Sequence, residues 1–89
     1  MSTKKRLTGK LRATRTSDRV VRQFQRAIGD RVRALRLKKL ISGAELGRAL
    51  GVSQAQLSRL ETGLQDFRAE MLLKLARVLG VKPRELLPE

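Results

Sequence analysis

The chain has 89 residues and a formal net charge of +13, from 21 Lys and Arg against eight acidic residues. So short a chain forms one small domain, and so large a positive charge indicates a polyanionic partner, nucleic acid before an anionic membrane surface. The absence of Cys and His excludes disulfides, thiol and imidazole catalysis and Cys/His metal sites.

The first 17 residues are polar and basic and have no sustained helical periodicity. We expect a disordered basic arm over residues 1–17, followed by a domain over residues 18–89. Positive charge is concentrated at this end of the chain. Residues 1–25 hold eight basic residues and one acidic residue, whereas residues 41–89 hold seven basic and six acidic residues. The long-range electric field therefore belongs to the N-terminal part of the protein.

A long first helix is predicted over residues 18–39. Its apolar residues recur every three or four positions, at Val20 or Val21, Phe24, Ile28, Val32 and Leu35. Either the helix is continuous from about Asp18, with Ser17 or Asp18 as its cap, or a separate short helix precedes one that begins near Ile28. The apolar residues before Ile28 either pack back onto the domain or form a dimer contact.

The most informative segment, residues 42–63, contains two short predicted helices joined by a glycine-centred turn. They cover about 43–50 and 54–62, and their apolar residues share helical spacing at Leu46, Leu50, Leu57 and Leu60. Each helix opens with the residue pair of a capping box, Ser42 with Glu45 and Ser53 with Gln56. Two short helices that cross steeply present the second one as a probe, which is how a helix-turn-helix enters the DNA major groove.

Two more helices complete an all-α domain of five helices. The first, about 69–79, has one apolar face formed by Leu72, Leu75, Ala76 and Leu79. Gly80 ends it, and Pro83 suits the first position of a short last helix over 83–87.

Three segments occur in a characteristic order and spacing: IGDRVRALR (28–36), ISGAELGRALGVSQAQLSRLETG (41–63) and EMLLKLARVLGVKPRELL (70–87). Together they resemble the Cro/repressor-type helix-turn-helix family, also called the XRE family. The resemblance implies a five-helix, lambda repressor-like DNA-binding domain, here with a basic N-terminal extension.

The helix over 54–62 is the predicted reading helix. Leu57 and Leu60 should face the core, and the opposite side carries the predicted base-reading residues Gln54, Ala55, Ser58 and Arg59. Gln and Arg suit this task because each can make two hydrogen bonds to one base edge, Gln to adenine and Arg to guanine. The resemblance also places Gln54, Ala55 and Arg59 at the main base-facing positions of the family.

Phosphate contacts are predicted at Gly43, Ser53, Gln56 and Arg68. Gly43 stands where many family members have a phosphate-contacting Gln, so that only its backbone N–H remains for this role. Ser53 either caps its helix alone or caps a helix end that also binds phosphate. Gln56 either contacts DNA or serves the capping box, and Arg68 is the one basic residue of the loop over 64–68.

The N-terminal arm is the predicted source of further DNA contacts, through Lys4, Lys5, Arg6, Lys10, Arg12 and Arg15. A basic arm can wrap the duplex or enter its minor groove. The alternative is a tail that only keeps the protein soluble.

The resemblance implies two further features around the end of the first helix. Arg36 and Glu61 match a family pair that bridges the first and third helices, which predicts a partly buried ion pair that sets the angle of the reading helix. Leu40 stands where family members usually have Gly. Either Leu40 adopts a strained conformation or the helix unwinds without its usual cap.

The expected function is that of a sequence-specific, double-stranded DNA-binding transcriptional regulator, cytoplasmic and associated with the nucleoid. The family's usual binding to paired half-sites implies a homodimer, for which residues 18–28 are the candidate interface. No catalytic residue, metal or cofactor is expected. Two alternatives remain open: an antitoxin that binds a toxin and represses its own operon, and a protein that packages nucleic acid without sequence preference.

Overall fold

The computed structural model describes residues 14–88. Most of the predicted arm lies outside these residues, including the predicted DNA contacts Lys4, Lys5, Arg6, Lys10 and Arg12. Residues 14–88 form four α-helices and one 3₁₀ turn, without a strand: α1 (Asp18–Lys38), α2 (Gly43–Leu50), α3 (Gln54–Glu61), α4 (Ala69–Leu79) and the turn Pro83–Leu86.

The last element is one turn of 3₁₀ helix where the sequence predicts a fifth helix over 83–87. Pro83 begins the turn, and the N–H of Leu87 donates to the carbonyl of Arg84 at 3.2 Å, the three-residue step of a 3₁₀ helix. Leu87 itself is extended, because the residue before a proline is disfavoured in the helical region. The helical run therefore ends after four residues.

Helix α1 is continuous over 21 residues, which is the first of the two alternatives for this segment. Ser17 is its N-cap, and its hydroxyl oxygen accepts from the N–H of Val20 at 3.2 Å.

The two predicted capping boxes differ in the structure. At α2, the N–H of Glu45 donates to Ser42 Oγ at 3.0 Å, and the N–H of Ser42 donates to a carboxylate oxygen of Glu45 at 2.8 Å. The hydrogen bond that the Ser42 backbone N–H donates to the carboxylate, together with the Ser42 side chain, lowers the pKa of Glu45 below its ordinary value. At α3 only the first half forms, from the N–H of Gln56 to Ser53 Oγ at 3.0 Å, so the prediction of a second complete box is wrong. The Gln56 side chain is not engaged in capping.

The core draws on all four helices and on the final turn. Its buried apolar residues are Ile28, Val32, Leu46, Leu50, Leu57, Leu60, Leu75, Ala76, Leu79 and Leu86. Helix α3 packs against both α1 and α2, and α2 also packs against α4. Helix α3, the predicted reading helix, therefore has a packed layer behind it. No helix in the described part of the chain is long and apolar enough to cross a membrane.

A residue with a left-handed backbone conformation follows each of the four helices. Three of these residues are glycines, whereas the residue after α1 is Leu40, with φ 58°. The helix closes as it would with glycine, because the N–H of Ile41 donates to the Arg36 carbonyl at 3.0 Å. Leu40 therefore adopts the strained conformation, and the helix keeps its usual cap. The side chain of Leu40 is 90% exposed.

Candidate nucleic-acid interface

Helix α3 has one buried face and one exposed face. Leu57 and Leu60 are at most 2% exposed and anchor the helix to the core. The four predicted base-reading residues, Gln54, Ala55, Ser58 and Arg59, are all exposed. The structure therefore gathers them on the surface of one rigid helix, with their functional groups free to contact a ligand.

The start of α2 lies beside the start of α3. A Cβ atom placed on Gly43 would lie 3.8 Å from Nε2 of Gln54 and 3.9 Å from a methyl carbon of Leu57, which are ordinary contact distances. A larger side chain at position 43 would therefore lie next to the exposed face of α3.

The other residues of the predicted interface have varied positions. Ser53 is exposed at the N-cap of α3, and Gln56 is partly buried one turn later. Arg68 is exposed at the N-cap of α4, beyond the loop that follows α3. Arg15 is exposed ahead of α1.

An ion pair joins α3 to α1. Nε and Nη2 of Arg36 donate to the two carboxylate oxygens of Glu61 at 2.8 and 3.0 Å, and Nη1 donates to the carbonyl of Ile41 at 3.0 Å. Both side chains are largely buried, with 12% and 8% of their surface exposed. The bond to Glu61 raises the pKa of Arg36 further above its ordinary value, against the opposing effect of burial. This bidentate ion pair restricts the rotation of α3 relative to α1.

Two glycines allow the end of α3 to approach α1 more closely than the sequence indicates. A Cβ atom on Gly29 would collide with the backbone carbonyl oxygens of Leu60 and Glu61. One on Gly63, which has φ 78°, would lie 2.7 Å from Cα of Arg26. The signal for Gly29 was present, since an isolated glycine inside a helical pattern often marks a packing requirement.

The apolar residues near the start of α1 remain substantially exposed. Val20 is 53% exposed, Val21 39% and Phe24 49%. With Phe67 and Leu72 they line an apolar groove of about 350 Å³. They pack back onto the domain only in part.

The arrangement offers hydrogen-bond donors and acceptors on the exposed surface of a helix. Within residues 14–88 no cluster of three or more acidic, Cys or His residues could hold a metal ion.

Comparison with known proteins agrees with this geometry. The sequence model of the Helix-turn-helix family HTH_3 matches residues 32–86. No curated protein matches the chain significantly.

Solved structures give the same fold. The restriction-modification controller protein C.AhdI from Aeromonas hydrophila is 32% identical, with a TM-score of 0.66 over 70% of this chain and 94% of its own. The clp gene regulator ClgR from C. glutamicum is 30% identical, with a TM-score of 0.66 over 74% and 82%. The P22 c2 repressor, solved with a synthetic operator, is 38% identical, with a TM-score of 0.63 over 67% and 91%. The chain therefore belongs to the XRE-type helix-turn-helix family of DNA-binding regulators.

Proposed function

We propose that this protein is a transcriptional regulator that binds double-stranded DNA sequence-specifically, with α3 in the major groove. The observation that carries the proposal is the exposed polar face of α3 on a helix whose other face is buried and whose angle is held by Arg36 and Glu61. A rigid helix with a free polar face matches the width of the major groove and its pattern of donors and acceptors.

Each exposed residue of α3 has a role suited to its chemistry. Gln54 pairs with adenine and Arg59 with guanine through two hydrogen bonds each, while the methyl group of Ala55 contacts a thymine methyl group. Ser58 offers a single hydroxyl to either kind of base. The backbone N–H groups at the starts of α2 and α3 bind the flanking phosphates, which sets the register of the helix on the duplex.

The solved neighbours support this function. C.AhdI is a controller protein and ClgR a gene regulator, and the P22 c2 repressor was solved on operator DNA. By the same reasoning the protein acts at the nucleoid by binding alone, without a catalytic residue or a cofactor.

The test is selection of bound duplexes from a random pool by the full chain and by Arg59→Ala. The parent should enrich a defined motif, and the variant should lose preference at one base position by about 1–3 kcal/mol. Arg77→Ala is the matched control, because Arg77 is an exposed arginine on α4, distant in sequence from the reading helix. It should leave the motif unchanged.

Two results would count against the proposal. A parent that enriches no motif and binds unrelated duplexes equally would favour nucleic-acid packaging by charge. A motif that Arg59→Ala leaves intact would show that Arg59 reads no base.

The proposal includes a homodimer, with the apolar groove at the start of α1 as its interface. Two copies that each carry a net charge of +13 repel one another, and this repulsion is weakest where they meet through a face without cations. Among residues 14–88, no Lys or Arg lines this groove, which contains Val20, Phe24 and Phe67. Two reading helices would then contact half-sites about 10 bp apart.

Sedimentation equilibrium of Phe24→Asp tests the interface. We expect the variant to be monomeric at concentrations where the parent is dimeric. Leu73→Asp, which alters a 60% exposed leucine on α4, should leave the dimer intact. A dimer that persists in Phe24→Asp would place the interface elsewhere.

A further inference from the structure

The first turns of α1 carry a row of arginines beside the end of the reading helix. Arg19, Arg22 and Arg26 recur at spacings of three and four, which places them on one face of the helix. They line one side of a groove whose other wall includes Thr62 and Leu64, the residues that follow α3. This groove lies outside the span that matches the family model, except at the end of α3.

The position of this arginine row relative to α3 is fixed by packing. Gly63 lies directly against the backbone of Arg26, with no room for a Cβ atom between them. At the neighbouring position, the side-chain amide of Gln25 donates to a carboxylate oxygen of Asp66 in the loop after α3. These contacts hold the start of α1 against the end of the reading helix.

The charges in this groove are not explained by folding. Within residues 14–88, Arg19 and Arg22 form no ion pair, and Arg26 meets Asp30 at 3.6 Å with both side chains about two-thirds exposed. Arg19, in the first turn of α1, also opposes the helix dipole, whose positive end lies there. Such a placement costs the free protein stability, and an anion bound from outside would offset that cost.

The loop that leads away from α3 is poor in cations. Across residues 64–68 it carries Asp66 as well as Arg68, so its charges cancel. A duplex has phosphates along both edges of a major groove about 12 Å wide. With α3 in that groove, as proposed, its C-terminal end would lie toward one of these edges. The arginine row of α1 lies at that same end.

We infer that Arg19, Arg22 and Arg26 form an accessory phosphate-binding face, which contacts the DNA backbone beside the groove that α3 reads. The inference rests on the proposed function and deepens it. These arginines position the protein on the duplex and strengthen binding without reading bases.

The experiment compares two triple variants of the full chain that each lose three positive charges. One is Arg19→Gln, Arg22→Gln, Arg26→Gln, and the control is Arg77→Gln, Lys82→Gln, Arg84→Gln. The control residues are exposed and belong to α4 and the turn after it. Binding is measured over a salt series, both to the duplex selected by the parent and to a random duplex of equal length.

We expect the slope of log K against log salt to become shallower by two to three units in the α1 variant, since each lost phosphate contact removes about 0.9. The control should change it by less than one unit. The α1 variant should select the same motif as the parent. Its thermal midpoint without DNA should equal or exceed that of the parent, because the side chain at position 19 no longer opposes the helix dipole.

Equal slopes in the two variants would overturn the inference, since net charge alone would then explain the loss. A changed motif would also overturn it, because the arginines would then read bases. If the parent selects no motif, the proposed sequence-specific reading by α3 fails, and the inference about the arginines is not yet contradicted. The random duplex would still show whether the arginines contact phosphates.

Discussion

The two halves of α1 share a helical pattern of apolar residues but lie in opposite surroundings. From Ile28 onward the helix buries Ile28, Gly29 and Val32 and carries Arg36 toward Glu61. Before Ile28 no residue of the helix is buried, and Val20 is about half exposed. Apolar spacing therefore predicts that a segment is helical, whereas burial also requires a matching surface elsewhere in the chain.

The largest effect is expected at the ion pair of the buried half. Glu61→Gln leaves the largely buried guanidinium of Arg36 without a countercharge, which should lower the free energy of unfolding by about 3 kcal/mol. Urea denaturation measures this change.

Glu70→Gln is the control, because it removes the acid of an exposed pair with Lys74, whose Nζ lies 3.3 Å from the carboxylate. It should cost less than about 1 kcal/mol. Equal losses in the two variants would mean that the Arg36–Glu61 pair contributes no more than a surface pair.

Gly29→Ala should be the next most damaging change, at about 2–3 kcal/mol, since its methyl group meets backbone carbonyl oxygens that cannot move aside. Gly43→Ala is matched to it as a helix glycine whose added methyl group finds ordinary contact distances. That variant should stay within about 0.5 kcal/mol of the parent. A tolerated Gly29→Ala would show that α1 and α3 do not touch at this point.

Position 29 also shows which features of the fold can be predicted from the sequence alone. Periodicity and capping residues predict the helices and the core leucines, because both signals are local. The isolated glycine at position 29 marks a close approach, but no local pattern identifies α3 as the segment that approaches it, because that depends on how distant segments pack. Nor does any local pattern show that Gln56 leaves its capping box unfinished, or that Arg22 lies beside the end of α3.

The end of the buried half offers a smaller, stabilising change. Leu40→Gly removes the strain of a left-handed leucine whose side chain is 90% exposed and contributes little packing. The relief of strain exceeds the entropy that glycine adds to the unfolded chain, for a net gain of about 0.5–1 kcal/mol. Thermal unfolding should show a higher midpoint.

Gly80→Ala is the reverse experiment after α4, where φ is 69°. It should destabilise the protein by about 1 kcal/mol. A destabilised Leu40→Gly would mean that the leucine makes a contact that outweighs its strain.

The smallest effect is expected in the exposed half. Val20→Ala should change the free energy of unfolding by less than about 0.5 kcal/mol, because the valine is 53% exposed in the folded chain. Val32→Ala, the same substitution on the buried half of the same helix, should cost about 2 kcal/mol, because Val32 is completely buried. Both are measured by urea denaturation at a protein concentration low enough to keep the chain monomeric.

If Val20→Ala costs as much as Val32→Ala under those conditions, the start of α1 packs onto the domain as firmly as its end. A cost for Val20→Ala that appears only at high protein concentration would instead come from the contact between two copies, because a dimer interface stabilises the folded chain by mass action.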